Sequence, residues 1–223
     1  MFVVLGIASY VLAMIATTPA GVAFGNRPWR TGIAGTIWSG EVGIAGGTKV
    51  EWHWAPLRSL TSLAFAADWK ATGPDTDLGG RGLVRFGRTV LDSVSGSAHA
   101  SLLNALQPNL PFTCDLVMQT EFPRIAIGGG SGQMVQGKLT TDAGTCTPRA
   151  GGAAVPIPAL LLTAEKIGSS TRITIAPAQQ RRQTLLDATL GEEGEMTLKL
   201  TPDGARILPF VGLPANASIS GQI

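Results

Sequence analysis

The stretch VEWHW at residues 50–54 decides the fold class of this protein. Its apolar side chains Val50, Trp52 and Trp54 alternate with charged or polar ones. Successive side chains of a β-strand point to opposite faces, so the stretch predicts a strand with one apolar and one polar face. The preceding stretch GTIWSG, at residues 35–40, adds another of the five tryptophans in the chain.

The same two-residue alternation recurs along the chain, for example at Leu63, Phe65 and then Ala67 and Trp69. Turn signals separate the alternating segments, and 29 glycines and 14 prolines supply them. This pattern predicts about ten to twelve short strands joined by turns. Parallel strands need long crossover helices, which the chain lacks, so we expect an antiparallel sheet.

The expected fold is all-β: one long, strongly twisted and curved antiparallel sheet that forms a partial barrel or β-groove. A sheet must bury its apolar face, and no long helix is available to cover it. Twist and glycine-rich strands favour curling over two packed sheets of similar size. Two short helices are predicted, at residues 101–106 and 205–211, and prolines limit or interrupt both.

The N-terminus is apolar and has no charged residue from position 2 to position 24. A helix of about 20 apolar residues spans a bilayer, so we predict a transmembrane anchor at residues 1–25 and a β domain at residues 26–223. Pro19 and Gly21 are expected to end the helix near Thr18. A cleaved secretory signal peptide is the alternative, because small residues around Ala20 resemble cleavage sites.

The cysteines indicate the compartment. Cys114 and Cys146 are the only two, 32 positions apart, and neither belongs to a CxxC motif. An isolated pair in a β-rich envelope chain predicts one disulfide in an oxidising compartment, and two unrelated buried thiols are the alternative. Arg27 and Arg30 follow the apolar segment and by themselves favour a cytoplasmic domain, but long domains translocate largely regardless of charge. We therefore predict a periplasmic domain.

The sequence contains no recognisable catalytic or metal-binding constellation. It has two histidines and no HExxH motif, and Ser131 lies in a glycine-rich turn that lacks the GxSxG pattern. The net charge of +2, without a long basic run, gives no reason to expect a nucleic-acid partner. We predict no enzymatic activity and no cofactor.

The tryptophan-rich region has two interpretations. Its aromatic side chains either form the core of the sheet or line an apolar groove near the membrane, where indole rings are favoured. The candidate groove or membrane-proximal residues are Trp38, Val50, Trp52, Trp54, Leu63 and Phe65.

The order of these motifs resembles the type II secretion system protein N family, also called general secretion pathway protein N. The resemblance is carried by a G-x-[VI]-W-x-G element followed by a tryptophan strand ending in proline. Its residues here are Gly35, Trp38, Gly40, Trp52 and Pro56.

This resemblance implies a single-pass inner-membrane component with a periplasmic domain, without enzymatic activity, that works with other type II secretion components. It also suggests kinship with β-groove proteins that handle lipids. The alternative function is an autonomous envelope module that binds or transfers lipid, and an envelope hydrolase has the weakest support.

Overall fold

The computed structural model describes residues 2–23, 25, 29–129 and 132–222. Arg27, Ser131 and residue 26, the expected start of the β domain, lie outside this part of the chain.

The described residues form sixteen strands and a few short helices. The helices are α1 (Phe2–Ala16), α2 (Ala20–Ala23), α3 (Pro56–Ser62), α4 (Ser101–Leu106) and α5 (Pro202–Ile207), with a 3₁₀ turn at Pro209–Val211. The strands are β1 (Arg30–Gly35), β2 (Ser39–Ile44), β3 (Thr48–Trp54), β4 (Phe65–Gly73), β5 (Thr76–Arg85), β6 (Arg88–His99), β7 (Phe112–Asp115), β8 (Val117–Gly128), β9 (Met134–Thr141), β10 (Gly144–Pro148), β11 (Val155–Ile157), β12 (Leu160–Ile167), β13 (Ser170–Pro177), β14 (Leu186–Gly191), β15 (Glu195–Leu200) and β16 (Ser218–Gln222).

Thirteen strands form one large sheet, in the order β1-β2-β3-β4-β5-β6-β8-β9-β12-β13-β14-β15-β16. A small sheet has the order β11-β10-β7. All the pairings within the large sheet are antiparallel, and most join strands that are neighbours in sequence. The predicted all-β class and the single large antiparallel sheet are confirmed.

The strand count exceeds the predicted ten to twelve because several strands lack clear alternation. Strand β1 reads RTGIAG and shows no regular alternation of burial. The short strands β10 and β11 contain glycine or proline, which weaken strand signals.

The short helices agree with the prediction at two places and differ at a third. Helix α4 has the predicted bounds, and the second predicted helix is divided into α5 and the 3₁₀ turn that begins at Pro209. Helix α3 was not predicted, and Leu63, which was expected to lie on a strand, instead ends α3 in a left-handed conformation at φ 49°.

Helix α1 contains 15 residues, none of them buried. In the described part of the chain, no helix is both long enough and apolar enough to cross a membrane. The predicted transmembrane helix is therefore not supported, although α1 ends at Ala16, close to the end expected from Pro19.

The predicted disulfide joins Cys114 of β7 to Cys146 of β10. The two residues face each other in the antiparallel register, with their Cα atoms 4.1 Å apart. Cys146 belongs to the larger buried cluster, which also includes Ala98, Leu185 and Phe210. The bridge therefore holds the small sheet in the core.

The large sheet has two different ends. We call one the α1 end, because Trp38 contacts the last turn of α1 there. Helix α3, which joins β3 to β4, lies at this end. The turns β5–β6, β8–β9 and β12–β13 lie there too. We call the other the core end. It carries α4, the small sheet and α5, and it contains the cluster around Cys146.

Candidate functional site

A row of two glycines and two tryptophans crosses four adjacent strands near the α1 end. Gly40 of β2 is opposite Trp52 of β3, Trp52 is opposite Trp69 of β4, and Trp69 is opposite Gly80 of β5. We call these residues the aromatic row. Directly opposite side chains touch across a sheet, so each indole covers a glycine at one end of the row.

The glycines of the aromatic row are required by close approach. A Cβ atom at Gly40 would lie 2.6 Å from Cζ2 of Trp52 and 2.6 Å from the carbonyl oxygen of Ala34. A Cβ at Gly80 would lie 3.1 Å from Cζ2 of Trp69. Gly40 and Trp52, which both belong to the sequence motif, therefore form one packing contact.

Gly40→Ala should destabilise the fold by about 1–3 kcal/mol, because the added methyl group overpacks the site against an indole and a backbone carbonyl. The matched control is Gly32→Ala in β1, where an added Cβ meets no atom within 4 Å. Urea unfolding of both variants measures the difference. Equal stability of the two variants would contradict the assigned contact.

The two tryptophans of the row differ in their hydrogen bonds. Trp52 is 6% exposed, and its Nε1–H donates to the carbonyl oxygen of Ile37 at 3.1 Å. The Nε1–H of Trp69 is buried and has no acceptor among the described residues. The row therefore leaves one donor unsatisfied inside an apolar region, which costs free energy unless an acceptor reaches it.

A second aromatic group, which we call the aromatic junction, joins the sheet to α1 and α3. It consists of Trp38, Trp54 and Phe65, with the Trp38 ring centroid 4.7 Å from that of Trp54 and 6.1 Å from that of Phe65. The Nε1–H of Trp38 donates to the carbonyl oxygen of Ile15 at 2.8 Å, and that of Trp54 donates to Oγ of Ser59 at 2.8 Å. The carbonyls in the last turn of a helix lack intrahelical donors, so Trp38 satisfies one of them.

The two tryptophans of the aromatic row, Trp52 and Trp69, form part of the wall of an apolar cavity of about 590 Å³. All the lining residues are apolar, and they are Trp29, Ile37, Val42, Ile44, Val50, Trp52, Phe65, Ala67, Trp69, Val84 and Leu91. A cavity of this size and composition suits an apolar ligand or a partner side chain.

The six predicted groove residues lie at different places in the structure. Val50, Trp52 and Phe65 line the cavity, whereas Trp38 and Trp54 belong to the aromatic junction. Leu63 lies outside the cavity and is 77% exposed at the end of α3.

Several lining residues were missed by the sequence analysis. Phe65, Ala67 and Trp69 are spaced by two residues in β4, so they share one face of the strand. This spacing could have identified Trp69 as a lining residue. Trp29 and Leu91 carry no such local signal, since the pairing of distant strands brings them to the cavity.

The polar face of β3 is electrostatically separate from the cavity. The Lys49 ammonium is 2.6 Å from Glu51 and 3.2 Å from Glu41, and these hydrogen bonds raise the pKa of Lys49. The same hydrogen bond to Lys49 lowers the pKa of Glu51. These exposed charges form a solvated face. Nδ1 of His53 lies 3.0 Å from Oγ of Ser39 on the same side.

The remaining motif residues also have local roles. Gly35 adopts φ +87°, and a Cβ there would lie 2.6 Å from Cα of Gly40. Pro56 starts α3, where its missing N–H costs nothing because the first turn has no intrahelical acceptor for it. In the described part of the chain, no group of three or more His, Cys, Asp or Glu side chains could hold a metal ion.

Comparisons with known proteins identify no relative of this chain. No protein-family model matches the sequence, and neither the curated proteins nor the solved structures contain a significant match.

Proposed function

We propose that this protein is a non-catalytic component of a type II secretion system, placed in the inner membrane with its β domain in the periplasm. Its long sheet acts as an interaction or lipid-contacting surface during export across the outer membrane. The observation that carries this proposal is the packing of residues 35–57, the stretch that resembles the family. Their side chains join α1, the aromatic junction and the apolar cavity in one unit.

The membrane placement is supported by α1, whose 15 residues include no charge and no buried side chain. A helix that is apolar all round is stable only in an apolar environment on every side. The periplasmic placement is supported by the disulfide, which persists in oxidising compartments. Together they favour residues 1–25 as an inner-membrane anchor.

A curved, groove-like sheet is the form we propose for the interaction surface. Ala98 is the last residue but one of β6 and Leu185 precedes β14, yet both belong to one buried cluster. These strands are five positions apart in the sheet, which corresponds to roughly 24 Å in a flat sheet at the usual strand spacing. Residues of the small sheet and of the 3₁₀ turn also belong to this cluster. We propose that curling of the sheet, together with these elements, brings the two strands into one core.

An autonomous lipid-binding or lipid-transfer module is the second candidate function. One observation favours it: the cavity of about 590 Å³ has an entirely apolar lining. An acyl chain would suit such a cavity. Lipid that copurifies with the chain from cells without a secretion system would favour this candidate.

Deletion of the gene should abolish or strongly reduce release of exoproteins into the medium, and the wild-type gene should restore release. Trp54→Ala should restore it only in part, because it removes an exposed member of the aromatic junction. Leu103→Ala, at the exposed surface of the core end, is the matched control and should restore it fully. Normal secretion in the deletion strain, with the system expressed, would reject the secretion function.

A further inference from the structure

Exposed apolar side chains are concentrated at the α1 end of the sheet. Phe86, at the tip of the β5–β6 hairpin, is 99% exposed. We give the name apolar rim to Phe86 and the exposed residues near it, which are Leu57, Leu60, Leu63 and Val84. Ile127 and Ile167 are exposed at the same end, whereas Leu103 is exposed at the core end. Such a group of neighbouring apolar side chains marks a contact surface.

The strand register makes the rim a continuous surface. Phe65, the first residue of β4, is opposite Val84 of β5. Leu63 lies two residues before Phe65, and Phe86 lies two residues after Val84. The end of α3 and the tip of the β5–β6 hairpin are therefore neighbours.

Helix α1 leaves the domain beside this rim. Besides the bond from Trp38 to Ile15, the backbone N–H of Ile37 donates to Thr18 at 3.1 Å, and Pro19 forms an isolated β-bridge with Thr36. A groove on a partner protein would cover only one side of α1, whereas lipid covers every side. A bilayer that surrounds α1 therefore reaches the rim as well.

The charges around the rim fit lipid headgroups. Arg58 of α3 and Arg85 of the β5–β6 hairpin flank it, and guanidinium groups bind phosphate well. Arg58 contacts Asp68 at 2.6 Å, and Arg85 has no ion pair within the described residues. Glu192 and Glu193 are acidic and lie at the same end, where the backbone N–H of Gln133 donates to the carbonyl of Glu192 at 3.1 Å. The Glu192 carboxylate is paired with Lys166 at 3.5 Å.

We propose that the apolar rim docks the β domain directly on the bilayer surface, with Leu57, Leu60 and Phe86 among the acyl chains and Arg85 at the phosphates. Docking orients the sheet with its core end away from the membrane. Partly inserted surfaces of this kind reach about 5–10 Å into the headgroup and acyl boundary. This inference rests on the proposed membrane association but not on the secretion function.

Lipid-located quenching tests the docking in the full chain. Leu60→Cys, Phe86→Cys and the control Leu103→Cys are each labelled with an environment-sensitive fluorophore, with the native disulfide kept oxidised. The proteins are reconstituted in vesicles of phosphatidylethanolamine and phosphatidylglycerol, with and without a doxyl-labelled phospholipid. We expect labels at positions 60 and 86 to shift to the blue and lose most of their emission to the doxyl group. The label at position 103 should remain accessible to aqueous iodide.

Three outcomes would overturn the inference in distinguishable ways. Equal iodide access at all three positions would show that the rim remains in water. Labels at 60 and 86 that resist both iodide and the doxyl lipid would assign the rim to a protein contact. A chain that does not associate with vesicles at all would reject the proposed membrane association together with the docking. Rejection of the proposed secretion function alone would leave the docking prediction standing.

Discussion

Trp52→Ala should lower the free energy of unfolding by about 3–5 kcal/mol, the usual cost of truncating a buried tryptophan. The indole is 6% exposed, covers Gly40 and contributes to the buried cluster with Val42 and Ala67. Its removal also leaves the carbonyl of Ile37 without its donor. Urea unfolding of the full chain in mild detergent, followed by far-ultraviolet circular dichroism, measures the loss.

Trp54→Ala is the matched control in the same strand. Trp54 is 40% exposed, so its removal should cost no more than about 2 kcal/mol. The sequence left open whether these tryptophans form the core or line a groove. In the structure Trp52 belongs to the buried core of the sheet and also forms part of the cavity wall. A stable Trp52→Ala variant, or equal losses in both variants, would contradict the assignment of Trp52 to the core.

Removal of the disulfide should cost about 3–4 kcal/mol in the loop-entropy model, because the bridge closes a loop between residues 32 positions apart. The suitable variant is Cys114→Ala with Cys146→Ala, since alanine leaves no hydroxyl at the fully buried position 146. The denaturation midpoint should fall and become insensitive to reductant.

The wild-type protein provides the control for this experiment. Under reductant its midpoint should fall towards that of the double variant, and without reductant no thiol should titrate even after unfolding. A wild-type midpoint that does not respond to reductant, under conditions where the bridge is shown to be broken, would contradict a stabilising role. The core around Cys146 would then be held by packing of residues such as Leu185 and Phe210 alone.

Local patterns in the sequence predicted much of the architecture. Alternation at Val50, Trp52 and Trp54 identified β3, and proline limited α4 to its predicted bounds. The number and spacing of the cysteines favoured a single disulfide, which the structure contains. Each of these signals is local or compositional, since side-chain direction follows the backbone period and proline acts on its own turn.

Helix α3 shows where local patterns failed. The residues from Leu63 onward alternate as a strand would, but the chain must first turn from the end of β3 into β4. Pro56 begins a helical turn that makes this connection, and Leu63 ends it in a left-handed conformation. The need to reverse the chain direction, which depends on the pairing of β3 with β4, outweighed the alternation at Leu63.

The sequence by itself determined the strand-rich class, the two-faced strands and the cysteine pair, because these follow from backbone period and composition. Only the tertiary structure decided that Gly40 and Gly80 lie at the two ends of a row with Trp52 and Trp69, and that Trp29 and Leu91 line the same cavity. The reason is that strand register depends on the packing of whole faces across the sheet. No single stretch of the chain contains that information.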